Sequence, residues 1–323
     1  MDNKTNGILM KSRSASSCIK KGYQLYTKDF KKIIKRTWVV AMLYSIVCSA
    51  LFTILTVKSS KEVVILSTSL DVIKQTSFQT ISAILPILGL IIIGGIFELS
   101  LYSLVIAFLN NGFKDVPILY KKKPSPIFIK MFIRALIALL SNLLIIVILG
   151  SIIFLGVHPL ISKFLSVLNI TIPTIAIGCF EFIVLFVIML PLAYIDMKYI
   201  LQTNTSFWKL LLSDYICAMK HFGYIFIVMI VSLIFIGIAE CILTLPALIM
   251  TIANYQAYIG ILNGDAINMP NYIFYISAIV FFIAGFIQIY VRSSALYTSY
   301  YMYGSIETQE KERKSFNSSS TSI

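Results

Sequence analysis

Three glutamates stand where carboxylates are rare. Glu98, Glu181 and Glu240 each interrupt a long run of apolar residues. An ionisable side chain at the centre of a bilayer costs about 2.5–3.5 kcal/mol on insertion scales, so each should face protein or water rather than lipid. Such acids fit a proton or cation site, a polar pocket for a substrate amine, or hydrogen-bonded glue between helices. Asn142, in an apolar run of its own, is the expected neutral partner, and no Lys or Arg is expected within a span centre to pair with the acids. Other chemistry has little support. There is no G-x-S-x-G, P-loop, H-E-x-x-H or G-x-G-x-x-G. The two histidines, His158 and His221, and five cysteines without a C-x-x-C form no metal motif or disulfide framework. No catalytic residue, metal or cofactor is therefore expected.

The elements that hold these acids follow from composition. Hydrophobic residues make up 58% of the 323-residue chain and charged residues 13%, with mean hydropathy +0.89. Soluble domains carry about 25% charged residues, so a soluble globular protein is excluded, and intrinsic disorder needs far lower hydrophobicity. A spanning helix needs about 20 mostly apolar residues. Six segments qualify: Trp38 to Val57, one within Phe78 to Leu109, Ala135 to Leu155, Ile172 to Tyr194, Phe222 to Leu248 and Ile273 to Val291. The first follows a polar, basic stretch too long for a signal peptide, so it is read as a retained helix. The expected fold is all-α, a polytopic membrane protein with six transmembrane helices. Residues 1–22 and 305–323 are polar and expected to be disordered, leaving 23–304 as the membrane domain.

Lys and Arg set the expected orientation. The segments before span one, between spans two and three, between four and five, and after six carry 23 of the 27 basic residues; the other three loops carry four. Both termini are thus expected on the cytoplasmic side of an inner membrane. The net charge of +13 is patterned by the bilayer, not by nucleic acid. Tyr26, Phe30, Ile33 and Ile34 share one helical face, and Lys28, Lys31, Lys32, Lys35 and Arg36 surround it. This segment is expected to lie in the interface with its cations on anionic headgroups.

Smaller patterns complete the reading. Ala41, Ser45 and Ser49 form a stripe that lets another helix approach closely. Pro86, Gly89, Gly94 and Gly95 weaken span two and predict a kink. Tyr297, Tyr300, Tyr301 and Tyr303 fit an interfacial aromatic belt. Phe-x-Lys followed by two apolar residues opens at Phe30, Phe128 and Phe207, and Gly95–Glu98 echoes Gly178–Glu181. These predict three related hairpins of roughly 90 residues, each with an amphipathic lead-in helix.

This layout over residues 23–304 resembles bacterial six-helix membrane proteins, of which the nearest group is the membrane-anchor domain of some glycerophosphodiester phosphodiesterases. The catalytic barrel of that group has no counterpart in these residues, so the resemblance implies a membrane module and carries over no catalytic residue. The first functional reading is a non-enzymatic membrane scaffold or accessory protein that meets the bilayer and other membrane proteins. A second is a small-solute or lipid carrier using the three glutamates, and a third is a lipid-modifying enzyme using the same acids.

Overall fold

The computed structural model describes residues 11–68, 77–115, 126–157, 159, 161, 163, 174–202, 205–263 and 272–320. Among them there are helices and no strand. In chain order they are α1 (Ala15–Thr68), α2 (Ser77–Asp115), α3 (Pro126–Ile152), α4 (Thr174–Met189), α5 (Leu192–Leu201), α6 (Phe207–Lys220), α7 (Phe222–Leu262) and α8 (Tyr272–Ser320). A π-helical turn, Ile153–Val157, continues α3. Six stretches are long and apolar enough to cross a membrane: Ala15–Thr56, Pro86–Asn110, Pro126–Val157, Ile177–Leu201, Phe222–Ala257 and Tyr272–Phe316. They carry outward-facing apolar side chains that water would reject, among them Ile92, Leu144, Phe154, Phe182, Phe235 and Ile249. The protein is a six-span, all-helical membrane protein.

Its spine is the pairing of the first helix with the last. α1 has 54 residues and α8 has 49, or about 80 and about 75 Å at 1.5 Å per residue. A bilayer core is only about 30 Å thick, so both helices run well past it. They lie antiparallel along most of this length. Arg13 N donates to Ser305 Oγ at 3.0 Å, Tyr26 Oη donates to the Tyr290 carbonyl at 2.6 Å, and Ser49 Oγ donates to the Ala278 carbonyl at 2.6 Å. Small residues permit this contact. A Cβ on Gly22 would sit 2.9 Å from Thr298 Cα, and one on Gly285 would sit 3.3 Å from Cys48 Cβ. The Ala41–Ser45 stripe is buried, and Ser45 faces Gly285. α8 also packs on α7, α5 and α2, so it touches most of the molecule.

Several expectations change here. The ends read as disordered are helical over 15–22 and 305–320. They dock on each other: Ser305 and Ile306 are fully buried and Cys18 lies against Tyr301. Only the third lead-in is a separate helix, α6, whereas Phe30 and Phe128 lie inside α1 and α3. The lead-in of α1 does not lay its apolar face in lipid, because Tyr26 and Ile33 are buried in the core they share with α8. α6 does fit an interfacial position. It exposes Trp208, Leu212, Ile216 and Met219 on one face, at spacings of four, four and three. The tyrosines after span six are core rather than belt: Tyr297, Tyr300, Tyr301 and Tyr303 are all buried.

Gly22 and Gly150 separate packing from propensity. Gly22→Ala should lower stability by about 1–3 kcal/mol, the usual range for overpacking, because Thr298 backbone atoms have nowhere to move. Gly150→Ala, with open space around it, should leave the melting temperature in detergent unchanged or raise it slightly, since Ala is the better helix former. Equal effects from the two substitutions would contradict the close α1–α8 contact.

Candidate functional site

Four helices meet at one charge. Arg292 on α8 binds Glu240 on α7 through Nε, and its Nη1 lies 3.5 Å from Glu98 Oε1 on α2. The same Nη1 lies 3.5 Å from Tyr44 Oη on α1. Tyr102, one turn beyond Glu98, donates to Glu98 Oε1 at 2.6 Å. Glu240 sits between outward-facing Ile238 and Ile242, so the cluster lies at lipid depth. Two carboxylates share one guanidinium, and the Arg292 side chain keeps 37% of its surface exposed. Fixed, hydrogen-bonded charges of this kind hold helices in register where lipid supplies no hydrophobic drive between them.

Glu98 and Glu240 lie on two of the apolar helices, and their basic partner lies on a third. Arg292 directly follows Val291, where the apolar run ends, so by sequence alone it belongs to the tail. The expectation that no basic residue pairs with the acids is thus overturned. A usable signal was present: Ser293, Tyr297, Tyr301 and Ser305 continue the helical period beyond Arg292. Glu181 does not join the cluster. It is buried on α4, which packs beside α3. Asn142 meets neither Glu98 nor Glu240. Its Nδ2 donates to Asp196 Oδ2 at 2.7 Å, and the remaining oxygens of both side chains have no hydrogen-bond partner. Asp196 is a half-buried acid two residues beyond Tyr194, where the expected fourth span ends.

Two further polar clusters lie towards the chain termini. Arg134 on α3 donates to the carbonyls of Tyr199 (2.8 and 2.5 Å), Gln202 (2.6 Å) and Thr205 (3.0 Å), and stacks 3.8 Å over the Tyr199 ring. These include carbonyls left open where α5 ends, and a cation there also meets the negative end of the helix dipole. Nearby, Lys198 of α5 pairs with Glu307 of α8 at 2.6 Å and with Asp214 of α6 at 3.2 Å. Tyr194 donates to Glu307 at 2.7 Å. One turn further, His221 Nε2 lies 2.9 Å from Glu310 Oε1. The C-terminal part of α8 is therefore held by α5, by α6 and by the α6–α7 junction.

The expected lipid-contacting cations have mixed surroundings. Lys28, Lys31 and Lys35 are exposed, as are Lys20 and Lys21. Lys32 is exposed but bonds Asp29 at 3.0 Å, and Arg36 lies 5.5 Å from the Phe108 ring centre. His158 lies outside the described residues. The chain matches no protein-family profile, no curated protein and no solved structure.

A double-mutant cycle tests the shared charge. Arg292→Met should lower stability by about 1–3 kcal/mol, less than the 3–5 typical of a fully buried pair because the guanidinium is partly exposed. Arg292→Met with Glu240→Met should recover part of that loss. A coupling of about 0.5 kcal/mol or more by thermal unfolding in detergent would match the observed contact, whereas additive effects would not.

Proposed function

We propose that this chain is a non-catalytic membrane scaffold or accessory protein. It sits in a cytoplasmic membrane with both termini inside and presents a basic helical face to anionic partners. One observation carries the reading. The apolar stripe of α1 (Cys18, Ile19, Tyr26 and Ile33) is buried in the core, whereas Lys20, Lys21, Lys28, Lys31 and Lys35 on the same helix stay exposed. The helix is thus already anchored, and its cations are left for something other than folding. The charge bias of the connecting segments supports the same orientation. Anionic headgroups are the simplest match, since each Lys or Arg near such a surface contributes about 1 kcal/mol.

The Arg292 cluster favours a second reading. With two carboxylates to one guanidinium, it is the most suitable place for a carrier to hold a cation or proton. Glu240→Gln separates the two readings. A carrier loses flux at normal membrane abundance. A scaffold loses stability and has no flux to lose.

The basic face is tested directly with lipid. Lys28→Gln, Lys31→Gln and Lys35→Gln together should weaken binding of a short-chain anionic phospholipid by about two orders of magnitude at low salt. That follows from about 1 kcal/mol per cation and tenfold per 1.4 kcal/mol. Binding of a zwitterionic lipid should stay the same. Unchanged anionic-lipid binding by native mass spectrometry would remove the main support for this role.

A further inference from the structure

The junction of α6, α7 and α8 has a ligand set found in neither of the other clusters. Cys217 lies in the last turn of α6 and His221 four residues on, at the residue that caps it, so the two share a face. Glu310 reaches them from α8. A sulfur, an imidazole nitrogen and a carboxylate oxygen lie within 4.8 Å of one another, and all three residues are half-buried.

We propose that Cys217, His221 and Glu310 form a binding site for a zinc-like divalent metal ion, clamping the α6–α7 junction to the C-terminal part of α8. Thiolate, imidazole and carboxylate are the common zinc ligands, at about 2.0–2.3 Å from the ion. Ligand atoms around a tetrahedral ion then lie about 3.3–3.8 Å apart. The cluster reaches that spacing by small rotamer shifts, with the ion replacing the His221–Glu310 hydrogen bond. Three protein ligands leave a fourth position for water. The thiolate selects against magnesium and calcium.

The charges are compatible with this occupant. On binding, the Cys217 S–H bond breaks, its proton leaves to solvent and a sulfur–metal bond forms. Thiolate and carboxylate together then balance the dication. Burial raises the free thiol above its ordinary range, Glu310 adding to the effect, and Lys198 opposes it. A bound dication reverses that balance. The surrounding charges are mixed, with Asp214 and Glu307 on one side and Lys198, Lys220 and Arg313 on the other. Arg313 is 3.7 Å from Glu310 and more than half exposed, so solvent screens much of its repulsion. The carbonyl end of α6 adds a favourable dipole for a cation.

Cobalt(II) is the direct probe, titrated into the full-length protein in detergent and followed by absorption. One ion per chain should give a thiolate-to-cobalt charge-transfer band, removed on adding zinc. Cys217→Ser should abolish that band. His221→Gln and Glu310→Gln should each weaken binding about tenfold or more, since even outer-shell losses cost 10–100-fold. A wild-type measurement covers variants that fail to fold. Zinc should slow alkylation of Cys217, read by mass spectrometry, and leave Cys179 and Cys241 unaffected. Absence of the band, its survival in Cys217→Ser, or unprotected Cys217 would each overturn the site.

Discussion

The close antiparallel contact of α1 with α8 is the constraint on which the other contacts rest. In lipid, apolar side chains gain little by touching each other rather than acyl chains, so helix association depends on backbone proximity and hydrogen bonds. Both are found along this pair. Gly22 lies on the Thr298 backbone, Gly285 faces Ser45 and Cys48, and Ser49 donates to the Ala278 carbonyl. Because the two helices are much longer than a bilayer is thick, their pairing continues beyond it. Along the α8 stretch that holds Thr298, the buried Tyr297, Tyr300 and Tyr301 add aromatic packing to the small-residue contact.

The remaining elements attach to this spine through charge. At lipid depth, Arg292 ties α8 to α7 and α2, with Tyr44 of α1 alongside. Nearer the termini, Glu307 and Glu310 tie α8 to α5 and to the α6–α7 junction. Arg134 joins α3 to the end of α5. An exposed lysine row on α1 is the feature that folding leaves unused, and at Arg292 two carboxylates share one guanidinium. They are also where the carrier and scaffold readings part.

What could be read from the sequence was whatever depends on local pattern. Runs of apolar residues gave six spans, and the Ala41–Ser45–Ser49 stripe marked a packing face. The need of the acids for protein around them followed from the cost of placing them in lipid: Glu181 is buried, and Glu98 and Glu240 are half-buried against Arg292. What could not be read depends on which helix lies opposite. Arg292 ends an apolar run and so looked like a flanking charge, yet a neighbouring acid from each of two other helices makes its depth tolerable. Tyr297 and Tyr301 have the amphipathic character of an aromatic belt, and only the adjacent α1 converts them into core. The lead-in of α1 and the helix α6 look alike in sequence. One is covered by α8 and the other exposes its apolar row, a difference set by partners distant in the chain. His221 and Cys217 formed a recognisable pair only once Glu310, 89 residues from the histidine, came within 2.9 Å of it.

The most direct measurement is a cross-link between the first and last helices. A Cβ at position 285 would lie 3.3 Å from Cys48 Cβ, near the roughly 3.5–4.5 Å of a disulfide. Gly285→Cys should therefore form an intramolecular disulfide with Cys48 when native membranes are treated with a mild oxidant. Peptide mapping should show residues 48 and 285 joined within one chain. If the introduced cysteine stays free, or links only to another copy of the protein, the first and last helices are not paired in this register, and the account of the fold fails with it.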